Sequence, residues 1–537
     1  MSFSLMRFRA SHWAIAACLY FFLAGQVFIP LLGIEADEAL FGMAFLPPRY
    51  AASIRIGHST LPLMIMTYLG ALKASIYRPI LRWFRPGVWT LREPMLIAGA
   101  ASIWLFYLLL RRIAGERAAI IGAVLLATDS LYLLTTCFDW GPVALQHLLT
   151  IAGAYLLLRF AQEKTEGALA GSAFLLGLAV WDKALAAWML SGMGIAALLV
   201  FRREIWSLLT LRRIAIAAGA FLLGTLPLLA YNAKYEWATF HGNFHRDFSQ
   251  FRGKSDVLLA TFDGQGLLGY LAREDSGAIH PHQPAGALQT MSAQVVTLTG
   301  DPRHNLTLYA FLIALLLVPF GATSARKTVL FSLIAMIVAW FQMAITANAG
   351  GSVHHTILLW PLPYVVISVS FAAASRRLGT AGLPAAAVVT SVLLLSSALL
   401  MNAYYHKMFR NGGSESWNDA IFPLNSYVRD LPATYVYCMD WGLLDGLRFL
   451  SRGKLKLAGV DDRFTKAELT PDERHVVEQL LADGENLYIA HTPGAQVFPD
   501  NPKFLARAAE FGYRPNRLAI IEDSFGRPTF EVYRMVK

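Results

Sequence analysis

The sequence predicts a polytopic α-helical membrane protein with a small α/β domain at its C-terminal end. Of the 537 residues, 56% are hydrophobic and only 15% are charged, and the mean hydropathy is +0.46. An ordinary soluble domain carries about 25% charged residues, so this chain is too apolar to be one. The apolar residues gather in runs of about 17–25, the length that crosses a bilayer as a helix. The segment after Tyr404 is polar instead.

Eleven apolar segments are predicted to span the membrane, of which the fifth and the eighth are short. The first is interpreted as an uncleaved signal anchor, because it exceeds the apolar run of about 7–15 residues in a signal peptide. The predicted spans are Trp13 to Gly33, Pro94 to Leu110, Ala118 to Thr136, Trp140 to Leu158, Ala168 to Trp181, Ala184 to Phe201, Ile214 to Tyr231, Leu306 to Phe320, Val329 to Ala347, Thr356 to Ala374 and Leu383 to Tyr404.

The basic residues predict the orientation. The net charge is +10, but short clusters between spans are typical of cytoplasmic loops, so no nucleic-acid partner is expected. With eleven spans, the clusters fall on the side of the N-terminus, which is therefore predicted to be cytoplasmic, with the tail extracytoplasmic. A further apolar stretch, Ser59 to Tyr77, would break this agreement as a span, so we interpret it as an amphipathic or re-entrant helix at the outer interface. The clusters are Arg7/Arg9, Arg111/Arg112/Arg117, Arg159/Lys164, Arg202/Arg203/Arg212/Arg213, Arg326/Lys327 and Arg376/Arg377.

The predicted topology gathers the polar residues at the ends of the spans on the outer side. The predicted domains are a membrane module, residues 1–404, and a soluble α/β domain, residues 405–537. Outer loops cover residues 34–93 and 232–305, and the first is basic, which indicates an anionic ligand or lipid headgroup. The grouped outer sites are Asp37-Glu38, Asp139, Asp182-Lys183 and His354-His355.

The polar tail alternates two patterns, which together predict a small α/β domain. Its β-rich runs are Ala433 to Asp440, Asn486 to His491, Arg517 to Glu522 and Thr529 to Met535. Its helical stretches are Leu443 to Leu450, Pro471 to Ala482 and Pro502 to Glu510. Asp440-Trp441-Gly442, at the end of the first run, marks either a ligand position of an open α/β sheet or a plain strand-to-helix turn.

Each polar site has a structural and a chemical interpretation. Asp37 and Glu38 fit a helix cap, or a general base with a neighbouring acid. Asp139 fits the cap of the fourth span, or a substrate contact. Lys183 fits an ion pair with its neighbour in sequence, or a counter-charge to a phosphate. The His354-His355 pair fits an ordinary loop, or imidazoles that donate to a phosphate or assist proton transfer.

No cofactor follows from the sequence with certainty. An i, i+4 histidine pair can grip a metal from one helix face, and the long outer loop contains His241, His245, His280 and His282, but no acidic partners accompany them. A divalent metal therefore stays open. The three cysteines match no metal or disulfide spacing; they are Cys18, Cys137 and Cys438.

The order of these motifs resembles the membrane-embedded type C glycosyltransferases. More narrowly, it is similar to the protein-O-mannosyltransferase and lipid A aminoarabinose transferase group, over about the first 400 residues. The resemblance implies a polyprenyl-phosphate-linked sugar donor, and it maps the family's acidic pair onto Asp37 and Glu38 and its second acidic position onto Asp139. The motifs are Ala36-Asp37-Glu38-Ala39, Gly57-His58-Ser59-Thr60-Leu61-Pro62-Leu63, Asp139, Trp181-Asp182-Lys183 and His354-His355 through Trp360-Pro361-Leu362-Pro363.

Two positions depart from the family pattern. Many relatives have Lys-Pro-Pro or His-Pro-Pro where this chain begins a stretch with His58, which we keep as a predicted substrate contact. Relatives often have Thr-Lys-Gly-Pro where this chain has Trp181-Asp182-Lys183-Ala184, so the lysine is present without the glycine-proline turn.

The resemblance and the grouped residues together predict an inverting glycosyltransferase of the plasma (inner) membrane. It would move a sugar from the lipid phosphate to a hydroxyl or amine of a lipid, glycan or protein on the extracytoplasmic side. Asp37 is the predicted base, Glu38 and Asp139 hold acceptor or donor, and Lys183 and His355 stabilise the leaving phosphate. The alternatives are a lipid or sugar transporter or flippase, and a non-catalytic sensor that presents the tail. Transporters place ionisable residues near mid-span, whereas here they lie at span ends.

Overall fold

A computed structural model describes residues 2–46, 52–275, 277, 280–459, 462–498 and 500–537. Its helices are α1 (Ser2–Phe28), α2 (Ala36–Met43), α3 (Leu72–Trp83), α4 (Val88–Ala114), α5 (Glu116–Thr128), α6 (Ser130–Cys137), α7 (Val143–Glu163), α8 (Glu166–Asp182), α9 (Ala186–Val200), α10 (Arg202–Leu208), α11 (Leu211–Lys234), α12 (Ala238–Asn243), α13 (Phe251–Phe262), α14 (Ala287–Thr299), α15 (Thr307–Leu317), α16 (Thr323–Ala344), α17 (Val353–Thr356), α18 (Leu362–Arg377), α19 (Gly382–Asn411), α20 (Ile421–Arg429), α21 (Leu443–Leu450), α22 (Asp462–Thr465), α23 (Pro471–Ala482) and α24 (Asp500–Glu510). Its strands are β1 (Ala52–Ile56), β2 (Ser59–Met64), β3 (Val436–Cys438), β4 (Leu457–Gly459), β5 (Leu487–His491), β6 (Arg514–Glu522) and β7 (Pro528–Val536).

The membrane module is a bundle of apolar helices. Within the described ranges, seven helices are long and apolar enough to cross a membrane, or up to nine if two bent pairs each form one span. The chain is therefore a multi-pass membrane protein, as predicted. Every predicted span coincides with a helix or a bent pair. The fifth and eighth fall on the short helices α8 and α15, so the count of eleven stays a prediction.

A capping aspartate breaks the third predicted span. The helices α5 and α6 meet at an angle of 57°. Asp129 lies at the break, where its side chain accepts a hydrogen bond from Tyr132 N at 2.7 Å and so caps α6. Trp360 and Tyr364 donate to the same carboxylate. Hydropathy alone did not predict this break, because the residues on both sides of it are apolar.

The basic clusters meet at one end of the bundle. Arg112 forms an ion pair with Glu163 at 2.7 Å, which joins the C-terminal ends of α4 and α7. Arg376 at the end of α18 donates to Ala114 O at 2.6 Å. These contacts place clusters from three loops together, as the charge distribution predicts. The side of the membrane to which this end belongs stays a prediction.

The prediction of one helix over Ser59 to Tyr77 is wrong. The stretch begins as β2, which pairs with β1, and helix starts only at Leu72. Pro62 lies within the strand, and a proline in a helix interior would remove a hydrogen bond and clash. At Gly70 the chain passes so close to Trp181 that a Cβ would lie 2.1 Å from its carbonyl oxygen. This contact brings the start of α3 beside the end of α8.

The tail domain (residues 405–537) contains a five-stranded sheet in the order β4-β3-β5-β7-β6. The first three strands are parallel, and β7 is antiparallel to both of its neighbours. Each predicted β-rich run overlaps a strand, and each predicted helical stretch overlaps a helix. The sequence analysis missed β4, which has three residues, and α20. The boundary at 404 stays a prediction, and α19 continues to Asn411.

The tail domain packs directly on α2. Gly33 N donates to Trp417 O at 2.9 Å, and a Cβ at Gly33 would lie 1.9 Å from Asn418 O, so only glycine fits. Phe449 of α21 lies against Gly42 and belongs to the apolar cluster formed by α2, α3 and α4. The helix α2 is thus held between the bundle and the tail domain.

Candidate active site

The helix α2 is capped by Glu35. The Glu35 side chain accepts a hydrogen bond from Glu38 N at 3.0 Å, which satisfies a free N–H group of the first turn. Asp37 and Glu38 occupy that first turn, where the helix dipole favours negative charge. Since Glu35 performs the capping, the interpretation of Asp37 as the helix cap is wrong. The side chain of Asp37 is available for chemistry.

Asp37 is a half-buried carboxylate without a hydrogen bond or ion pair to any described residue. Burial and, to a smaller extent, the nearby Asp445 of α21 raise its pKa, Lys183 and Lys73 oppose the rise, and the resulting pKa is about 6. A base whose pKa lies near the working pH is best suited to take a proton in a transition state. The Asp37 carboxylate also lies near Tyr68, because its negative charge adds to the effect of burial in raising the pKa of the Tyr68 hydroxyl.

Glu38 is engaged in a buried ion pair. Arg92 Nε lies 2.7 Å from Glu38 Oε1, and Arg92 Nη2 lies 2.9 Å from Oε2, the bidentate arrangement that arginine makes with carboxylates. Arg92 also donates to the carbonyl oxygens of Ile29, Leu32 and Gly33. Glu38 and Arg92 together fix the turn that leads from the first span into α2.

Asp139 is engaged in a second buried ion pair. Lys73 Nζ lies 2.9 Å from Asp139 Oδ2 and donates to the Asp139 carbonyl oxygen at 2.6 Å. Asp139 Oδ1 accepts from Val143 N at 2.8 Å, which caps α7. Lys73 also lies over the ring of Phe41, 4.3 Å from its centroid. Both oxygens of Asp139 have protein partners, so capping and ion pairing account for this residue.

Lys183 is a buried ammonium group that has no ion pair among the described residues. Backbone bonds hold its segment against the chain around Gly70, where Gly70 N donates to Asp182 O and Ala184 N donates to Tyr68 O, each at 3.0 Å. Burial lowers the pKa of Lys183 to about 8, although the nearby acids oppose the change. The group is therefore mostly charged at neutral pH.

Lys183 and His354 flank the backbone of Gly141. A Cβ at residue 141 would lie 3.1 Å from Lys183 Nζ and 3.3 Å from His354 Cδ2. Glycine thus leaves room for both polar groups at the start of α7. The interpretation of Lys183 as the ion-pair partner of Asp182 is not supported, because the Asp182 carboxylate accepts from Gln146 instead.

Hydrogen bonds define the tautomers of the two histidines. Trp140 Nε1 donates to His354 Nδ1 at 2.8 Å, and Gly350 N donates to His355 Nδ1 at 3.2 Å. Because indole and backbone N–H groups only donate, both Nδ1 atoms must accept, and the proton of each neutral imidazole lies on Nε2. The ring centroids are 4.1 Å apart. Two neighbouring N–H donors are therefore available to an anion.

The structure brings six of the seven predicted site residues into the buried region between the bundle and α2. His58 is not among them, because it is exposed in the turn between β1 and β2, and its substrate contact stays a prediction. The sequence analysis missed Glu35 as the cap, Lys73 and Arg92 as ion-pair partners, and Asp445 as a neighbour of Asp37. Lys73 and Arg92 carried a signal, since both belong to the unexpectedly basic segment 34–93.

Two histidines of the long loop lie in different surroundings in the described part of the chain. His241 is exposed on α12, whereas His282 stacks on Phe525 of the tail domain. No group of three His, Cys, Asp or Glu side chains suited to a metal ion occurs in the part of the chain that the structure describes.

The chain has the fold of two solved proteins, ArnT and AglB, in agreement with the resemblance read from the motifs. ArnT from Cupriavidus metallidurans bound to undecaprenyl phosphate matches with a TM-score of 0.58 and 13% identity, over 97% of this chain and 97% of that chain. The archaeal oligosaccharyltransferase AglB from Archaeoglobus fulgidus, in complex with an inhibitory peptide and a dolichol-phosphate, matches with a TM-score of 0.52 and 12% identity, over 90% and 69%.

The sequence itself also matches a protein family over part of the chain. Residues 75–231 match the family described as Dolichyl-phosphate-mannose-protein mannosyltransferase. This segment runs from α3 to α11 and includes Arg92, Asp139 and Lys183. No curated protein gives a sequence match.

Proposed function

We propose that this chain is a glycosyltransferase that takes a sugar from a polyprenyl-phosphate-linked donor and transfers it to a hydroxyl or amine acceptor. The observation that carries the proposal is the pair of unpaired charges, Asp37 and Lys183, kept near each other where the bundle meets the tail domain. An unpaired buried charge is costly to a fold and is typical of a functional site. The Asp37 carboxylate can accept a proton, and the Lys183 ammonium group can bind a phosphate.

The proposed reaction is a single displacement at the anomeric carbon. The acceptor oxygen or nitrogen bonds to that carbon while its proton passes to Asp37. The bond from the carbon to the phosphate oxygen breaks on the opposite face, its electron pair leaves with the phosphate, and the configuration inverts. The leaving phosphate needs charge compensation, which Lys183 supplies as a point charge and His354 and His355 supply through their Nε2–H groups. That the neighbours of this fold carry undecaprenyl phosphate and dolichol-phosphate supports an anionic lipid there.

The ion pairs refine two proposed roles. Glu38 and Asp139 act as positioning residues, because their carboxylates are bonded to Arg92 and Lys73. Glu38 holds the turn that presents Asp37. Asp139 holds Lys73, whose charge lies close enough to Asp37 to oppose the rise of its pKa.

The proposal is tested by following the donor and the product. Purified protein in lipid nanodiscs is incubated with a polyprenyl-phosphate-sugar, and release of the polyprenyl phosphate is measured in the presence of an acceptor extract. Mass spectrometry of surface glycans and glycoproteins from cells with and without the protein identifies the product. Movement of the donor between leaflets of a proteoliposome, without release of the phosphate, would establish the transporter alternative instead.

The rate of transfer is expected to depend on pH with a maximum between about 6 and 8. Protonation of Asp37 below its pKa of about 6 removes the base, and deprotonation of Lys183 above its pKa of about 8 removes the counter-charge. The measurement is kcat/KM as a function of pH. Asp445→Asn removes a negative neighbour of Asp37, so it should move the acidic limb to lower pH. Asp472→Asn, an exposed acid of the tail domain, should leave the profile unchanged, and an unmoved acidic limb in Asp445→Asn would contradict the assignment.

The orientation is proposed to place the tail domain outside and the basic end of the bundle in the cytoplasm, as the positive-inside rule requires. Gly484→Cys in the tail and Gly167→Cys at the basic end test it, because both sites are exposed and have open space around a Cβ. In a background without the native cysteines, a membrane-impermeant maleimide added to intact cells should label only the first. Labelling of only the second would invert the topology.

A further inference from the structure

The tail sheet changes direction at β3. The chain passes from β3 to β4 on one side, and then to β5 on the other side, and all three strands are parallel. In open sheets of this kind, ligands bind in the crevice outside the carboxyl ends of the strands where such a reversal occurs. Here β3 leads into Asp440-Trp441-Gly442, and β5 ends at His491.

Asp440 and His491 form a buried pair at this position. Asp440 Oδ2 lies 2.8 Å from His491 Nδ1 and also accepts from Val497 N at 3.0 Å. Asp440 Oδ1 accepts from Trp441 N at 2.8 Å and from Phe498 N at 3.0 Å. Because a carboxylate with these donors accepts only, His491 must carry its proton on Nδ1, which orients the ring. Its Nε2 atom has no hydrogen-bond partner among the described residues.

A shallow crevice that is open to solvent lies at this pair. It combines aromatic and aliphatic faces with a few polar groups. Trp441 contributes an indole that is 37% exposed. The described lining contains no lysine or arginine, so it suits a neutral hydroxylated ligand and not an anion. Ile34, Trp441, His491 and Phe530 are among the residues that line the crevice.

The crevice adjoins the candidate active site. Ile34, on its wall, immediately precedes the Glu35 cap and lies three residues before Asp37 in the chain. A Cβ at Gly446 of α21 would lie 3.7 Å from Ile34 O, so the same helix that carries Asp445 also borders this wall. The wall of the crevice and the helix that carries Asp37 are therefore adjacent along the chain.

We infer that the crevice binds a sugar unit of a glycan acceptor, with the sugar face stacked on Trp441 and a hydroxyl donating to His491 Nε2. The inference rests on the proposed function, since it names the class of acceptor that reaches Asp37. A glycan suits the crevice because sugars present apolar C–H faces and hydroxyl groups together. Asp440 is a positioning residue that keeps Nε2 of His491 free to accept.

The test is binding of soluble glycosides without any donor. Saturation-transfer NMR is recorded on the full chain in nanodiscs with methyl glycosides of glucose, galactose, mannose and N-acetylglucosamine. At least one glycoside should bind. Trp441→Phe, which keeps an aromatic face, should retain binding, and Trp441→Ala should abolish it. Loss of the hydrogen bond in His491→Ala should weaken binding about tenfold. His475→Ala, at an exposed histidine of α23, should have no effect.

Two results would overturn the inference: no glycoside binds the wild-type protein, or binding persists in Trp441→Ala. Thermal unfolding of each variant shows whether the tail domain is intact, and retained binding in Trp441→Phe makes the comparison independent of folding. Binding of a radiolabelled polyprenyl-phosphate-sugar is measured on the same samples. If the donor binds and no glycoside binds, the inference about the crevice is rejected and the proposed function stands. If a glycoside binds and the donor does not, the crevice stands as a glycan site and the proposed function is rejected.

Discussion

Asp37→Asn is expected to reduce sugar transfer by about 10²–10⁴-fold, the usual effect of removing a positioned general base. The amide has nearly the same size as the carboxylate but takes no proton from the acceptor. The fold should tolerate the change, because Glu35 caps α2 and Asp37 has no bond to another described residue. Transfer is measured with purified protein, and donor binding should be nearly unchanged, since it depends on other groups.

The matched control for this variant is Asp275→Asn, the same replacement at an exposed acid of the long loop. Its transfer rate should equal that of the wild type. Full activity of Asp37→Asn would exclude Asp37 as the base. The role would then pass to Glu35, whose buried Oε1 has no hydrogen-bond partner among the described residues, before Glu38 or Asp139, because both of these are held in ion pairs.

Lys183→Ala is expected to have the second largest effect, a loss of donor binding. A phosphate in contact with an ammonium group gains about 4 kcal/mol at an effective dielectric of 20, before the cost of desolvation is subtracted. No other described residue neutralises this site in the same way, since Lys73 is paired with Asp139. Binding of a polyprenyl-phosphate-sugar to protein in nanodiscs measures the effect.

Lys454→Ala, at an exposed position of the tail domain, is the control for a lost positive charge. Lys183→Arg tests the nature of the contact, because it keeps the charge and enlarges the group beside Gly141. It should bind donor better than Lys183→Ala. Unchanged donor binding in Lys183→Ala would remove this residue from the site.

The sequence was sufficient to predict the apolar helices of the bundle and the grouping of six candidate residues, because hydrophobic length and charge are properties of single segments. It was not sufficient to separate working groups from structural ones. Asp37 and Glu38 are neighbours in the same helical turn, yet only Glu38 meets an arginine, and that arginine lies 54 positions along the chain. This pairing forms only when α2 and α4 pack together, and no local sequence pattern shows how the two helices pack.

The error at Ser59 to Tyr77 has the same origin. The apolar residues of that stretch are typical of a helix, but part of them pair with β1 and part lie against the end of α8. Tertiary contacts override local preference there. The tail domain was easier to predict, since its strands and helices alternate with clear polar turns between them.

The close approach at Gly33 limits where this chain can be joined to another in a chimera. With Asn418 O placed 1.9 Å from where a Cβ would stand, and Phe449 inside the apolar cluster of α2, a chimera joined at residue 404 would set a foreign surface against α2. Grafts that exchange the tail domain should carry residues 29–46 together with it. The segment that must be exchanged as one unit therefore consists of two parts that are separate in the sequence. A boundary chosen from the hydropathy profile would divide these two parts.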